Sequence, residues 1–185
     1  MKTTPTMVLI LFSGISLFGQ DTHSKSGIRA FLDVAAVLRS PRCVNCHVPS
    51  DHPLQGDDNH VHIMKVARGA DGAGGNPVMR CANCHQETNV AALHAPPGAP
   101  GWRMPSAATP MAWEGLTTSQ LCRAVKEPAT NGNKSLNELI EHVTSDKIVN
   151  WGWNPGAGRS VPPLSHQQFV DAFKAWAAAG APCPE

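Results

Sequence analysis

Residues 43–47 read Cys43-Val-Asn-Cys-His47, and residues 81–85 repeat the pattern as Cys81-Ala-Asn-Cys-His85. In each stretch two thiols stand three positions apart, so one turn of chain brings them to the same side. An imidazole follows directly. Haem carries two vinyl groups on neighbouring pyrroles. Thiols at this spacing reach both and form thioethers, while the next histidine sits beneath the iron as proximal ligand. The pattern predicts two covalently bound haem c groups, attached at Cys43, Cys46, Cys81 and Cys84, with His47 and His85 as iron ligands.

Other uses of paired cysteines compete. Two C-x-x-C pairs can form a Cys₄ zinc site. Here 34 residues separate Cys46 from Cys81, longer than the roughly 15–20 of a zinc ribbon, and zinc leaves both histidines unexplained. A thioredoxin-like pair needs a βαβ setting, which neither motif has. Two disulfides are the third alternative.

Working outward, Ser26 is positioned to cap a helix running to about Ser40. Its expected apolar stripe is Ile28, Phe31, Leu32, Ala35 and Ala36, and Pro41 stops it. A helix leading into C-x-x-C-H resembles the amino-terminal helix of class I cytochromes c. The second motif follows turn-rich sequence, Gly69 to Pro77, with no such lead-in. The interval between the motifs is too short for a whole cytochrome unit. One domain over residues 20–185 is expected, with two haems sharing a core.

Downstream, residues 95–110 are rich in Pro, Gly and Ala and read as a loop wrapped along a haem edge, with Trp102 and Met104 in it. Capping boxes at Thr117/Gln120, Ser135/Glu138 and Ser165/Gln168 open three helices. These are expected to run to about Glu127, about Ser145 and about Gly180. Trp151-Gly-Trp153-Asn-Pro-Gly reads as turns, and no period-2 strand stands out. The expected fold class is mainly α, a dihaem cytochrome c-like domain with long loops.

The 185 residues suit one domain. Aromatic residues make up only 5%, with no Tyr, so two buried porphyrins would supply apolar mass that the side chains lack. Residues 1–19 read as a secretory signal: Lys2, an apolar run from Met7 to Phe18, and Gly19. The run is about a dozen residues, short of the ~20 needed to span a bilayer. Export points to the periplasm. Cleavage there removes one base and no acid, which leaves acidic and basic residues in balance. No basic patch calls for nucleic acid, and no membrane span is expected after cleavage. The leftover pair, Cys122 and Cys183, is expected to bond in an oxidising compartment.

The sixth iron ligand decides what each haem does: a closed site transfers electrons and an open one invites peroxide or small gases. His62, in His60-Val-His62-Ile-Met64, and His142, on the apolar edge of the Ser135 helix, are the expected distal ligands. Met111, Met64 and His94 stand behind them. His23 is expected in a floppy mature terminus, and His166, in the first turn of the last helix, looks solvated.

Further features extend the motifs: Pro53-Leu-Gln-Gly-Asp57, Arg68-Gly-Ala-Asp-Gly72, Met79-Arg-Cys81 through Gln86, Pro97-Gly-Ala-Pro100, Met111-Ala-Trp-Glu-Gly115, Asn131-Gly and Val149-Asn-Trp-Gly-Trp-Asn-Pro-Gly156. With these the chain resembles small bacterial dihaem cytochromes, among them cytochrome subunits associated with isoquinoline oxidoreductase-type molybdenum hydroxylases. The resemblance implies an electron carrier, not an enzyme, beside a dehydrogenase partner and upstream of a respiratory acceptor. No molybdenum, flavin or iron–sulfur pattern is present, so hydroxylation would belong to the partner. The alternatives are a dihaem enzyme with one open haem, peroxidase-like or sulfur-oxidising, and a haem-based sensor.

Overall fold

Helices from opposite ends of the chain pair to make the core. In the computed structural model, which describes residues 18–76 and 79–185, α1 spans Phe18–Leu38 and α6 spans His166–Ala178. Phe31 meets Trp176 with ring centroids 5.0 Å apart, and both side chains are fully buried. At Gly27 an added Cβ would lie 2.6 Å from Ala179 Cβ and from Pro182 Cγ. Only glycine lets α1 come this close to the end of α6. Residues 1–17 of the expected signal segment lie outside the described residues. Among the described residues no helix is long and apolar enough to cross a membrane.

α1 differs from its sequence reading in two ways. It begins at Phe18, well before Ser26. The Ser26 hydroxyl donates to the His23 carbonyl at 2.9 Å within the helix, so it does not cap. The buried face is Phe31, Val34, Ala35, Val37 and Leu38, while Leu32 is 41% exposed and Ala36 is exposed. Residues 28–38 are apolar nearly all round, so periodicity alone leaves the face open and the partner helices choose it.

Four further helices complete the frame. α2 (Pro41–Val44) starts on Ser40, whose hydroxyl accepts from the Arg42 N–H, with Pro41 in its first turn. α3 (Thr118–Lys126) and α4 (Leu136–Ser145) begin on the expected capping boxes, as does α6. α5 (Lys147–Trp151) has no counterpart in the sequence reading and runs into the stretch read as turns from Trp151. Asp146 ends α4 and caps α5, accepting from the Ile148 and Val149 N–H groups. A two-stranded antiparallel ribbon, β1 (Leu54–Gln55) with β2 (His60–Val61), is too short to show alternation in sequence. Helices and loops dominate the described residues, so the class is mainly α.

The core gathers Phe31, Leu121, Val125, Leu139, Phe169, Phe173 and Trp176 from α1, α3, α4 and α6. The scarce aromatic side chains are concentrated here. Cys122 and Cys183 are bonded, with Cα atoms 5.6 Å apart, which ties the carboxy terminus to α3.

Candidate functional site

The two repeated motifs adopt the same backbone turn. In the first, the Cys46 and His47 N–H groups both donate to the Cys43 carbonyl, at 3.2 Å each; in the second, Cys84 and His85 donate to the Cys81 carbonyl at 3.2 and 2.9 Å. The turn follows α2 in the first motif and a single 3₁₀ turn, Cys81–Asn83, in the second. A lead-in helix is therefore not what shapes it. All four thiols are free. Among the described residues no three His, Cys, Asp or Glu side chains gather as a metal-ion site.

The two histidines are held alike. His47 Nδ1 is 2.9 Å from the Met111 carbonyl oxygen, and His85 Nδ1 is 2.8 Å from that of Pro97. A carbonyl only accepts, so Nδ1 carries the proton and Nε2 keeps a free lone pair. Each ring also lies parallel to an indole. His47 stacks on Trp113 at 3.5 Å between centroids and His85 on Trp102 at 4.5 Å, with 2° between planes in both. Burial pushes His47 down to about 4 and lowers His85 as well. Both imidazoles are thus neutral bases at neutral pH.

Burial raises the Cys43 thiol to about 12 and the Cys46 thiol to about 11. After burial, the strongest influence on Cys46 is Cys81 of the other motif. Asn45 of the first motif holds the ribbon that carries His62 to within 6.1 Å of His85, so the two turns are neighbours in space.

Above the first motif lies a cavity of about 430 Å³, walled by Leu38, Trp113, Leu139, Val143, Phe169 and Phe173. Arg42, Arg103 and Lys134 also line it, and Arg42 Nε is buried without a hydrogen-bond partner. An apolar chamber beside an arginine that is paired with Asp57 but keeps one unpartnered N–H suits a ligand with an apolar body and acidic arms. The second motif is more open: Cys84 is exposed and Cys81 half-buried. Trp102 joins the two, since it stacks on His85, lines the cavity and meets Trp151 edge-on at 4.8 Å and 84°.

His142, from α4, lines the same cavity as His47 and helps keep the His47 imidazole neutral. Its Nδ1 is 3.5 Å from Asp146 Oδ2. His62 faces His85, with centroids 6.1 Å apart and 64° between planes. Met111 lines the cavity, and its carbonyl already serves His47. Met64 is 52% exposed, and His94 is exposed beside Gly158. His166 is half-buried, not solvated as expected: its Nε2 is 2.7 Å from the Val143 carbonyl oxygen and its ring rests on Trp153. His23 lies exposed within α1.

Sequence reasoning missed Arg42 and Arg68. Arg68 is fully buried and donates to the carbonyls of Val48, Ser50 and Pro105, stitching the chain after the first motif to the Trp102 loop. Arg42 belongs to no motif, and Arg68 opens the Arg68–Gly72 stretch without any local signal that its side chain is buried. No protein-family model, curated protein or solved structure matches the chain.

Proposed function

We propose that this chain binds two haem c groups and passes electrons between redox partners in the periplasm, without transforming a substrate itself. The observation that carries this reading is the repeated turn: two free thiols on one side, then a neutral imidazole pinned at Nδ1 and bare at Nε2. Cys43 and Cys46 would hold one haem by thioethers and Cys81 and Cys84 the other, with His47 and His85 beneath the irons. When bound, each haem supplies a one-electron iron couple.

The chain's own residues support that role. The largely apolar lining of the cavity suits a porphyrin body at the first site, and the unpartnered Arg42 Nε–H suits a propionate. Proximity of Cys46 to Cys81, with Trp102 common to both sites, suits passage between the haems. The resemblance to dihaem cytochromes supports a dehydrogenase as donor and a respiratory cytochrome or oxidase as acceptor, and a cytochrome c-like arrangement of one domain over residues 20–185.

The exposure of Cys84 favours one second reading, a dihaem enzyme whose iron at His85 is open to a small ligand. Carbon monoxide binding by the native ferrous protein would identify it.

The test is export of the chain in a host able to attach haem. Two haems per chain by pyridine haemochrome assay and intact mass are expected, together with reversible reduction. Replacing Cys43 and Cys46 by Ala removes one of them. A colourless mature protein with no added mass overturns the proposal.

A further inference from the structure

We propose that His62 is the axial partner of His85, and His142 the axial partner of His47, so that each motif's iron is closed by a histidine from a different element. This inference rests on the haem reading above and assigns its two remaining ligand positions.

For the second site the argument is a distance. An imidazole nitrogen binds a first-row metal at about 2 Å and its ring centre lies about 1.2 Å further back, so two rings on opposite sides of one iron stand about 6 Å apart. The His62 and His85 centroids are 6.1 Å apart. Among the described residues no hydrogen bond joins the two rings, and His85 Nε2 is the nitrogen left bare by the Pro97 contact. The His62 Nδ1 accepts from the Met64 N–H at 3.3 Å. Binding through Nε2 places the ring proton on Nδ1, so this long contact is given up.

Of the histidines near the ribbon, His62 is the one in ring contact with His85 among the described residues. His60 Nδ1 is 2.6 Å from Asp58 Oδ1 and His52 Nδ1 is 2.8 Å from the Val66 carbonyl oxygen.

The first motif positions His62. Asn45 lies between Cys43 and Cys46. Its carbonyl accepts from the Leu54 N–H at 2.8 Å, and its side-chain oxygen from the Asn59 amide at 2.6 Å. Arg42 holds Asp57 in the turn of the same ribbon at 2.6 Å. The His62 N–H then donates to the Pro53 carbonyl at 3.0 Å. The turn that carries one pair of thiols thus builds the far side of the other site.

For the first site the argument is shared enclosure. His142 and His47 line one cavity. The Asp146 carboxylate at Nδ1 favours a bare Nε2, as it does for carboxylate-backed histidine ligands generally. His142 is held by α4 in the helical core, whereas His62 hangs from a ribbon whose neighbours Ile63 and Met64 are 70% and 52% exposed.

The experiment uses the exported, haem-loaded protein and the variants His62→Ala, His62→Met, His142→Ala and His142→Met. Haem content is checked first by intact mass; fewer than two haems in the wild type defeats the haem reading itself, separately from the ligand assignment. Near-infrared magnetic circular dichroism of the wild type is expected to show two bis-histidine haems and no carbon monoxide binding when reduced. His62→Ala is expected to bind one carbon monoxide per chain. His62→Met is expected to show one thioether charge-transfer band and to raise one midpoint potential, leaving the other in place. The His142 variants should act on the other haem, and His142→Met gives a closed site to read if the alanine variant does not fold. Wild-type spectra and no carbon monoxide binding in His62→Ala, or an unchanged ligand band in His142→Met, overturn the assignment.

Discussion

The Trp102 indole lies parallel to the His85 imidazole, with centroids 4.5 Å apart, and meets Trp151 edge-on at 4.8 Å. One side chain therefore packs on the His85 imidazole and lines the cavity at the first motif. Trp102→Leu forfeits two ring contacts worth about 0.5–1.5 kcal/mol each. Denaturant unfolding of the haem-loaded protein should show a loss of about 1–3 kcal/mol. The midpoint potential of the His85 haem should shift more than that of the His47 haem. Trp113→Leu, which removes the indole on His47, should shift the potentials in the opposite order.

The Cys122–Cys183 bond closes a span of 61 residues, so its removal frees the unfolded chain considerably. Replacing both by Ser should cost about 2–4 kcal/mol in guanidinium unfolding. The tail keeps other ties: the Ser119 hydroxyl donates to the Pro184 carbonyl, the Lys126 ammonium to that of Ala181 and the Trp176 indole to that of Pro182. The double variant should therefore stay folded with both haems attached. Loss of haem along with the disulfide would show that the tail holds the site together.

What was legible in the sequence was local chemistry. The boxes at Thr117, Ser135 and Ser165 gave their helices because a cap and its partner lie three residues apart. The twin thiol motifs were legible for the same reason. The face of α1 was not, since apolar residues surround it and α3 and α6 select the buried side. Asp146 escaped notice as a cap because it also ends α4. The site's supports were beyond sequence reading: Met111, which pins His47, is 64 positions away, and the Asn89 side chain that accepts from the Trp151 indole is 62 away. Arg42 and Arg68 act on carbonyls and carboxylates brought near only by folding.

Glu138 closes the cap of the helix that carries His142. Its carboxylate accepts from the Ser135 N–H at 2.8 Å and from the hydroxyl at 2.7 Å. The backbone hydrogen bond from Ser135, then the side-chain one, lowers its pKa from the ordinary 4.5. A carboxylate held lower in the folded state stabilises the fold fully above the unfolded value. That contribution disappears as pH falls through the folded one. Stability should therefore drop on acidification below about pH 4.5. Glu138→Gln keeps an acceptor for the box and removes this titration, so its melting temperature should fall less steeply across that range than the wild type's. Parallel slopes in thermal melts at stepped pH would refute the assignment.

The Arg42–Asp57 pair tests whether the first motif holds the ribbon of the second site. Arg42 is 2% exposed and Asp57 46%, so the cation depends on its partner more than the carboxylate does. Asp57 Oδ2 also accepts from the Ser160 N–H at 2.9 Å, which fastens the ribbon to the segment preceding α6. Asp57→Asn leaves acceptors in place but strands a buried charge. Full loss of a partner to a buried ion costs about 3–5 kcal/mol, and solvent at the Asp57 side reduces this to about 1–3 kcal/mol. Asp57→Ala also releases Ser160, so the ribbon loosens and His62 loses its support. The reduced Asp57→Ala protein should then bind carbon monoxide slowly at one haem, at a rate between those of the wild type and His62→Ala. An Asp57→Ala protein destabilised as expected but as closed to carbon monoxide as the wild type would mean that His62 is held by contacts other than those made to the first motif.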